Sequence, residues 1–326
     1  MMHRRALLLG ALASAACDAS SSSSSGPSTT QAKFMAVNGN DRNSANEIAP
    51  VRTLARALSL VTAGTTLFIK GGVYQEATGH SFPSGRSWDA PLRIAAYQGQ
   101  PVVLRPAGTA RVLDFVGRSY VIVDGLTIDA ARVTADGIKI TEGSHHIRIQ
   151  NTEVMNAPSQ GILLSVGAHS NELVNLRVHD NGRNDFCHGI YVATDNNLIE
   201  NCEIYRNAGW GVHAWEAPNN LTVRGCRIYQ NARVGARGPG IGLYGGAGLR
   251  AHNNEVWGNA VGITAAFGSQ GAEILGNRVY NNRGQGIFVN LNARGTRVDG
   301  NTSHGNGGGN LVDFGEGTRI GANQIA

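Results

Sequence analysis

The chain has 326 residues, 41% of them hydrophobic and only 16% charged, with 44 glycines against 9 prolines, enough for one large domain or two small ones. Glycine at that level without a G-X-Y period, and with little proline, excludes collagen and a proline-rich disordered chain. The 28 Lys and Arg against 23 Asp and Glu are scattered, and Lys33, Lys70 and Lys139 are the only lysines, so nothing marks a nucleic-acid partner.

Residues 1–17 carry His3-Arg4-Arg5, then the apolar run Ala6 to Ala16, then Cys17. The run is too short to span a bilayer and reads as an export signal. Ser14-Ala15-Ala16-Cys17 resembles a bacterial lipoprotein signal, which makes Cys17 the lipidation site and the membrane a partner only through that anchor. The serine-rich residues 18–33 read as a flexible tether, and 34–326 as one folded domain. The expected location is therefore outside the cytoplasm, in the cell envelope or the medium. Cys187, Cys202 and Cys226 are too few to form a disulfide framework and read as structural or free thiols.

Within 51–60, Val51-Arg52-Thr53-Leu54-Ala55-Arg56-Ala57-Leu58-Ser59-Leu60 places apolar residues at helical spacing, predicting a short amphipathic helix that caps the N-terminal end of the domain. Downstream, a Gly followed by an apolar-x-apolar triplet recurs at Gly137, Gly161, Gly189, Gly211, Gly240, Gly262 and Gly286, with a degenerate copy at Asn310. A unit of that length with occasional insertions is the mark of a solenoid. Alternation with period two, and no helix-length pattern, makes its coils short strands: an all-β parallel β-helix.

A second strand fixes the register. Aligning Cys202-Glu203-Ile204-Tyr205 with Cys226-Arg227-Ile228-Tyr229, Asn254-Glu255-Val256-Trp257 and Asn277-Arg278-Val279-Tyr280 sends the first and third columns inward. Cys202 then stacks near Cys226, and Asn254, Asn277, Asn301 and Asn323 form an internal amide ladder. The outward column Glu153, Arg177, Glu203, Arg227, Glu255, Arg278 alternates in sign, as in-register stacking favours. A further column, Asn181, Asn207, Asn231, Asn259, Asn282 and Asn306, suits turns that need left-handed backbone or side-chain-to-backbone bonds. His179, Tyr205, Tyr229, Trp257, Tyr280 and His304 read as an outer stack covering the second sheet.

The segment Asn38-Gly39-Asn40-Asp41, Ala49-Pro50-Val51-Arg52-Thr53, Ala57-Leu58 and Ala63-Gly64-Thr65-Thr66-Leu67-Phe68-Ile69-Lys70-Gly71-Gly72-Val73-Tyr74 resembles the entry segment of pectate-lyase-like right-handed β-helix proteins. Coils such as His188-Gly189-Ile190-Tyr191-Val192 resemble their generic repeat. The resemblance implies a right-handed helix over about Phe34 to the C-terminus and leaves lyase, epimerase, hydrolase and non-catalytic activities open.

If Ile138 and Ile140 point inward, Lys139 points out, and its column continues Leu163, Tyr191, His213, Gly242, Thr264 and Phe288; two residues on, a second outward column includes Trp215 and Tyr244. Tyr191, His213, Trp215 and Tyr244 on adjacent coils suit a sugar, whose ring faces stack on aromatics while its hydroxyls seek hydrogen bonds. Two long insertions, residues 181–188 and 232–239, flank the same place. They would bring Asp185 and His188 in, with Arg183, Arg233 or Arg237 meeting a sugar carboxylate. The reading is a lyase cleaving an acidic, uronate-containing polysaccharide by β-elimination, probed through His213, Tyr191, His188, Lys139 and Asp185, with Asp185 orienting His188. The alternatives are a non-catalytic carbohydrate-binding protein, or an epimerase or glycoside hydrolase, the last needing a carboxylate pair such as Asp185 and Glu216. A monomer is expected. The resemblance further implies a calcium-dependent variant with Lys139 of Ala135-Asp136-Gly137-Ile138-Lys139 as base, although the several aspartates that hold such an ion are missing.

Overall fold

The computed structural model describes residues 31–76, 82–235 and 237–326. The expected export signal, Cys17 and nearly all of the expected serine-rich tether lie outside them. From Leu113 to His304 each coil repeats one path. A strand of the third sheet turns into the first sheet, a two-residue corner leads into the second, and a loop of varying length returns to the third. The first sheet has twelve strands, from Gln31–Met35 to Arg319–Ile320; the second has eleven, from Gly72–Tyr74 to Gln324–Ile325; the third has nine, from Leu113–Val116 to Leu311–Asp313. All pairings are parallel, and the whole is an all-β right-handed parallel β-helix. Its first strand starts at Gln31, three residues inside the expected tether.

The helix expected over 51–60 contracts to Leu54–Leu58 and forms no clear end cap. Val51 is committed to extended pairing, donating to the Phe34 carbonyl at 3.0 Å and accepting from Ala36 at 2.9 Å. Asp41 Oδ1 holds the amides of Arg52 and Thr53, each at 2.9 Å. The helix therefore starts only after Thr53, whose hydroxyl accepts from Arg56 N. Its buried face is the expected one, Leu54, Ala57 and Leu58.

Side-chain alternation sets the core, with Ile138, Ile140, Ile162, Leu164, Ile190, Val192, Val212 and Ala214 all fully buried and facing inward from the third sheet. Outside the second sheet the charge column forms as its signs require. Arg177 Nη1 lies 2.8 Å from Glu153, Arg227 Nη1 3.2 Å from Glu203 and Arg278 Nη1 2.7 Å from Glu255, with longer contacts from Arg177 to Glu203 and from Arg227 to Glu255. Arg227→Glu would face Glu203 and Glu255 together. With the Arg227 side chain 58% exposed, the expected loss is only about 1 kcal/mol. Melting curves at low salt test it, and an unchanged midpoint would contradict the ladder.

The inward amide ladder is continuous. Cys226 N donates to Asn254 Oδ1 at 3.0 Å, Asn254 N to Asn277 Oδ1 at 2.9 Å, Asn277 N to Asn301 Oδ1 at 2.8 Å and Asn301 N to Asn323 Oδ1 at 3.0 Å. Asn254 Nδ2 also donates to Asn277 Oδ1, at 3.0 Å. Asn277→Leu keeps the volume and removes that acceptor, so the buried Asn254 amide loses its partner and the Ala251 carbonyl loses its Nδ2 donor. The expected cost is about 2–4 kcal/mol. A urea titration of variant and parent checks this; equal midpoints would mean that water reaches the column.

The second asparagine column, Asn181 to Asn306, is a second buried ladder, with Asn181 N donating to Asn207 Oδ1 at 3.2 Å and Asn207 N to Asn231 Oδ1 at 3.2 Å. Of its two expected roles, the side-chain-to-backbone bonds are the one it fills. The left-handed backbone falls one residue earlier, at Asp180, Arg206, Gln230 and Asn281, with φ of 55°, 51°, 53° and 52°. Each coil corner thus pairs a left-handed residue with an amide that seals the turn.

On the same sheet, His179, Tyr205, Tyr229, Trp257, Tyr280 and His304 stack with neighbouring planes within 10° of parallel. Each interior ring has both faces covered by its neighbours, so the stripe offers edges and no stacking platform. Cys187, Cys202 and Cys226 are buried free thiols.

Candidate active site on the third sheet

Three successive third-sheet strands build the site: Ile190–Val192, Val212–Ala214 and Pro239–Tyr244. Tyr191 pairs with His213, and His213 with Gly242. The missing side chain at Gly242 leaves a slot between Trp210, Tyr244 and Pro239, each 3.2 Å from where a Cβ would sit. Gly238, at φ +132°, backs directly on Trp210: a Cβ there would lie 2.0 Å from the indole. Trp210 is thereby pressed onto His213 with ring centroids 3.7 Å apart, and Tyr244 meets Trp210 edge-on at 5.1 Å. Trp215 and Phe267 form the outer wall, 5.2 Å apart and 36% and 59% exposed.

Beneath Tyr191 lies a pair of imidazoles. The Trp210 amide donates to His188 Nδ1 at 3.0 Å, and His188 Nε2 lies 2.9 Å from His213 Nδ1. A backbone N–H can only donate, so His188 accepts at Nδ1 and carries its proton on Nε2. That proton goes to His213 Nδ1, leaving the His213 proton on Nε2. His213 Nε2 is buried without a partner. Burial holds both rings neutral, lowering His188 to about 4 and, with the neighbouring His188, His213 to about 2. Tyr191 is half-buried, and burial together with the Glu216 charge raises its phenol to about 12.

Tyr191, His213, Trp215 and Tyr244 thus come together as the columns predict, and His188 joins them from the end of the 181–188 insertion. The two histidines, however, are enclosed, with their nitrogens bonded or covered. They form a foundation under Tyr191 rather than a reachable acid or base. Asp185 does not orient His188, because both imidazole nitrogens already have partners; its side chain packs against Gly235, where a Cβ would meet it at 3.2 Å. Lys139 stands two coils away, across Leu163, beside Asp114, which with Asp136 is held by Arg111 at 3.1 Å. Arg183 and Arg237 are exposed on the two loops, and Arg233 Nε is turned to the Arg206 carbonyl at 3.3 Å.

Trp210 and Phe267 escaped the sequence reading. Trp210 precedes the repeated glycine, as His188 does one coil earlier, so a column drawn through Gln160, His188, Trp210 and Pro239 would have found it. Among the described residues no group of three or more His, Cys, Asp or Glu side chains is gathered to hold a metal ion. Asp136 is spent on Arg111 and Asp195 on the Asn219 amides, so the site does not fit a calcium ion and no step here uses one. A groove of about 550 Å³ between the first and second sheets, lined by Asn151, Asn175, Arg177, Glu203 and Arg227, has its charges paired with each other and offers no reactive group.

Coil register and sheet order make the chain a right-handed parallel β-helix protein. A family profile described as "Right handed beta helix region" matches residues 172–325, and one described as a protein of unknown function (DUF1565) matches 37–85. Uncharacterized protein YwoF of Bacillus subtilis (strain 168) is 29% identical over 134 residues, 37% of this chain, and the match spans only 28% of that protein. Pectate lyase L of Dickeya chrysanthemi is 23% identical over 330 residues, covering 95% of this chain and 72% of the lyase. The crystal structure of pectate lyase Pel9A superposes with a TM-score of 0.67 at 18% identity, over 92% of this chain and 78% of that one. Likeness at this level establishes the fold and leaves the activity to be argued from the site. Among the described residues no helix is long and apolar enough to cross a membrane.

Proposed function

We propose that the protein is an exported, lipid-anchored, monomeric enzyme that cleaves an acidic, uronate-containing polysaccharide by β-elimination at Tyr191. The observation that carries this reading is a half-buried phenol standing on His188 and His213 beside an aromatic wall, since His213 itself meets Trp210, Trp215 and Tyr244. The exposed indole of Trp215 and ring of Phe267 supply faces for a pyranose. Arg183, Arg237 and Lys139 place positive charge along the route of a polyanion. Tyr191, raised to about 12, holds its proton at neutral pH and gives it to the leaving glycosidic oxygen. Glu216, whose charge is felt at Tyr191, takes the C5 proton once the uronate carboxylate is neutralised by a rim cation. The kinship to pectate lyase L supports this chemistry.

A binding-only reading draws on the enclosure of both histidines, which keeps the two imidazoles of the site out of reach of the substrate. One screen separates the two. Pectate, alginate and glycosaminoglycans are offered to the purified protein, and ultraviolet absorbance of the unsaturated product is followed beside retention in an affinity gel. Product with any uronate polymer supports the lyase. Retention without product supports the binding protein, and neither would overturn both.

A further inference from the structure

The outer face of the third sheet continues past Tyr191 toward the C-terminal coils. Its floor steps from His213 through Gly242 and Thr264 to Phe288 and Val312, which hold the same outward position in successive coils. One side of this floor is apolar. Beyond Trp215 and Phe267 it carries Leu291 and Phe314, 65% and 60% exposed, and Phe314 meets Phe288 edge-on at 6.2 Å. Phe267 has φ of 51°, a left-handed backbone that a bulky side chain adopts only under strain. Burial does not account for that strain, because the ring is exposed. The other side is cationic. Arg183, Arg233, Arg237 and Arg283 stand exposed on the loops that return to the third sheet, with Asp185 and the exposed ring of Phe186 among them. Among the described residues none of these four arginines is paired with a carboxylate, whereas those of the other two sheets are matched coil by coil, Arg148 with Glu172, Arg224 with Glu200, Arg227 with Glu203 and Arg278 with Glu255. Arg283 Nη2 donates to the Ala232 carbonyl two coils back, at 3.0 Å, which lays its guanidinium along the row. Positive charge left unmatched on one side only is suited to an anion from outside the chain.

We propose that the coils from Gly242 to Phe314 form an extended arm of the cleft, in which a uronate polymer lies along the solenoid axis with its carboxylates toward the arginine row and its ring faces on Phe288 and Phe314. The proposal rests on the polysaccharide reading above and adds to it the direction and length of the bound chain. Coils repeat about every 4.8 Å, so the five steps from Tyr191 to Phe314 span roughly 24 Å, room for about five pyranose rings beyond the reacting linkage. A uronate chain presents both features that the arm would meet, apolar ring faces for the aromatic side and a regular row of negative charge for the arginines. The arm therefore favours long chains over short oligomers, because a dimer fills the surroundings of Tyr191 and leaves Phe288, Phe314 and Arg283 untouched.

The test is retention of the full chain on immobilised pectate, alginate and a glycosaminoglycan, followed by the affinities of a dimer and an octamer cut from whichever polymer retains it. The octamer is expected to bind about tenfold or more tightly than the dimer. Phe288→Ala, Phe314→Ala and Arg283→Gln are each expected to weaken octamer binding about three- to tenfold and dimer binding much less. Phe314 is exposed, so Phe314→Ala should keep the melting temperature of the parent, and lost binding there is not lost folding. Arg283→Gln should also flatten the salt dependence of octamer binding. Equal affinity for dimer and octamer would overturn the arm, as would octamer affinity unchanged in both Phe288→Ala and Arg283→Gln, or retention on none of the polymers. Binding to phosphatidylglycerol vesicles without retention on any polymer would assign the same surface to a membrane and overturn it too. Binding is read here without turnover. An octamer preference with no unsaturated product keeps the arm and removes the lyase, whereas product formed from chains bound equally well at both lengths keeps the lyase and removes the arm.

Discussion

Tyr191→Phe is expected to lower the rate of unsaturated-product formation by about 10²–10⁴-fold, the range that a positioned proton donor contributes, while the variant still retains polysaccharide in an affinity gel. The substitution deletes one oxygen and keeps the ring that stands edge-on to His213 at 5.1 Å and lies over His188 at 5.8 Å. Packing, and hence melting temperature, should hardly change. Binding rests on Trp215 and Phe267 on the exposed wall, so Trp215→Ala should show the opposite division, losing retention first. Full turnover in Tyr191→Phe would move the chemistry elsewhere, with Lys139 the next position to vary. His213→Ala is a less discriminating probe, because it opens a cavity under Trp210 and leaves the His188 Nε2 proton without an acceptor.

The fold was legible in the sequence because a solenoid writes the same constraint once per coil. Opposite charges at Glu203 and Arg227, amides at Asn254 and Asn277, and a glycine before each inward triplet each needed one neighbour of the same kind about one coil away. The corner geometry was half legible, since asparagine suits both a left-handed backbone and an amide ladder, and residue type alone does not say which of two adjacent positions takes which role. In the site, the aromatic residues fell on one face because strand alternation decides the face. What the alternation could not convey was depth. His213 reads as outward, and it is; yet Gly242, one coil on, leaves room for Trp210 to lie down over it, and that close packing depends on Gly238 far along the chain. The missing helical cap has the same origin, in Asp41 claiming the amides of Arg52 and Thr53 from a distant loop.

The imidazole pair also dictates how stability responds to acid. His188 and His213 are buried neutral, with pKa values lowered to about 4 and about 2, whereas in the unfolded chain both titrate near 6.5. Above that value the two states carry the same protons and the full stability is present. As pH falls below about 6.5 the unfolded chain takes up protons that the native site refuses, and stability is lost until the native values are reached. Each imidazole contributes a slope of about 1.4 kcal/mol per pH unit, so the pair removes about 4 kcal/mol between roughly pH 6.5 and pH 5. His145 and His252 shift in the same direction but are less buried, and add less. The aspartates held low by their partners, such as Asp124 with Arg93 and Asp180 with Arg206, act only below their unfolded value near 4, outside this window. Urea midpoints between pH 7 and 5 should therefore fall steeply for the parent, and much less for the double variant His188→Gln/His213→Gln, whatever its stability at pH 7. A parent whose midpoint stays level across that range, or a variant that keeps the parent's slope, would show that the two rings are charged or solvated in the folded protein. The chain Trp210 N–H to His188 to His213 would then not be the arrangement under Tyr191.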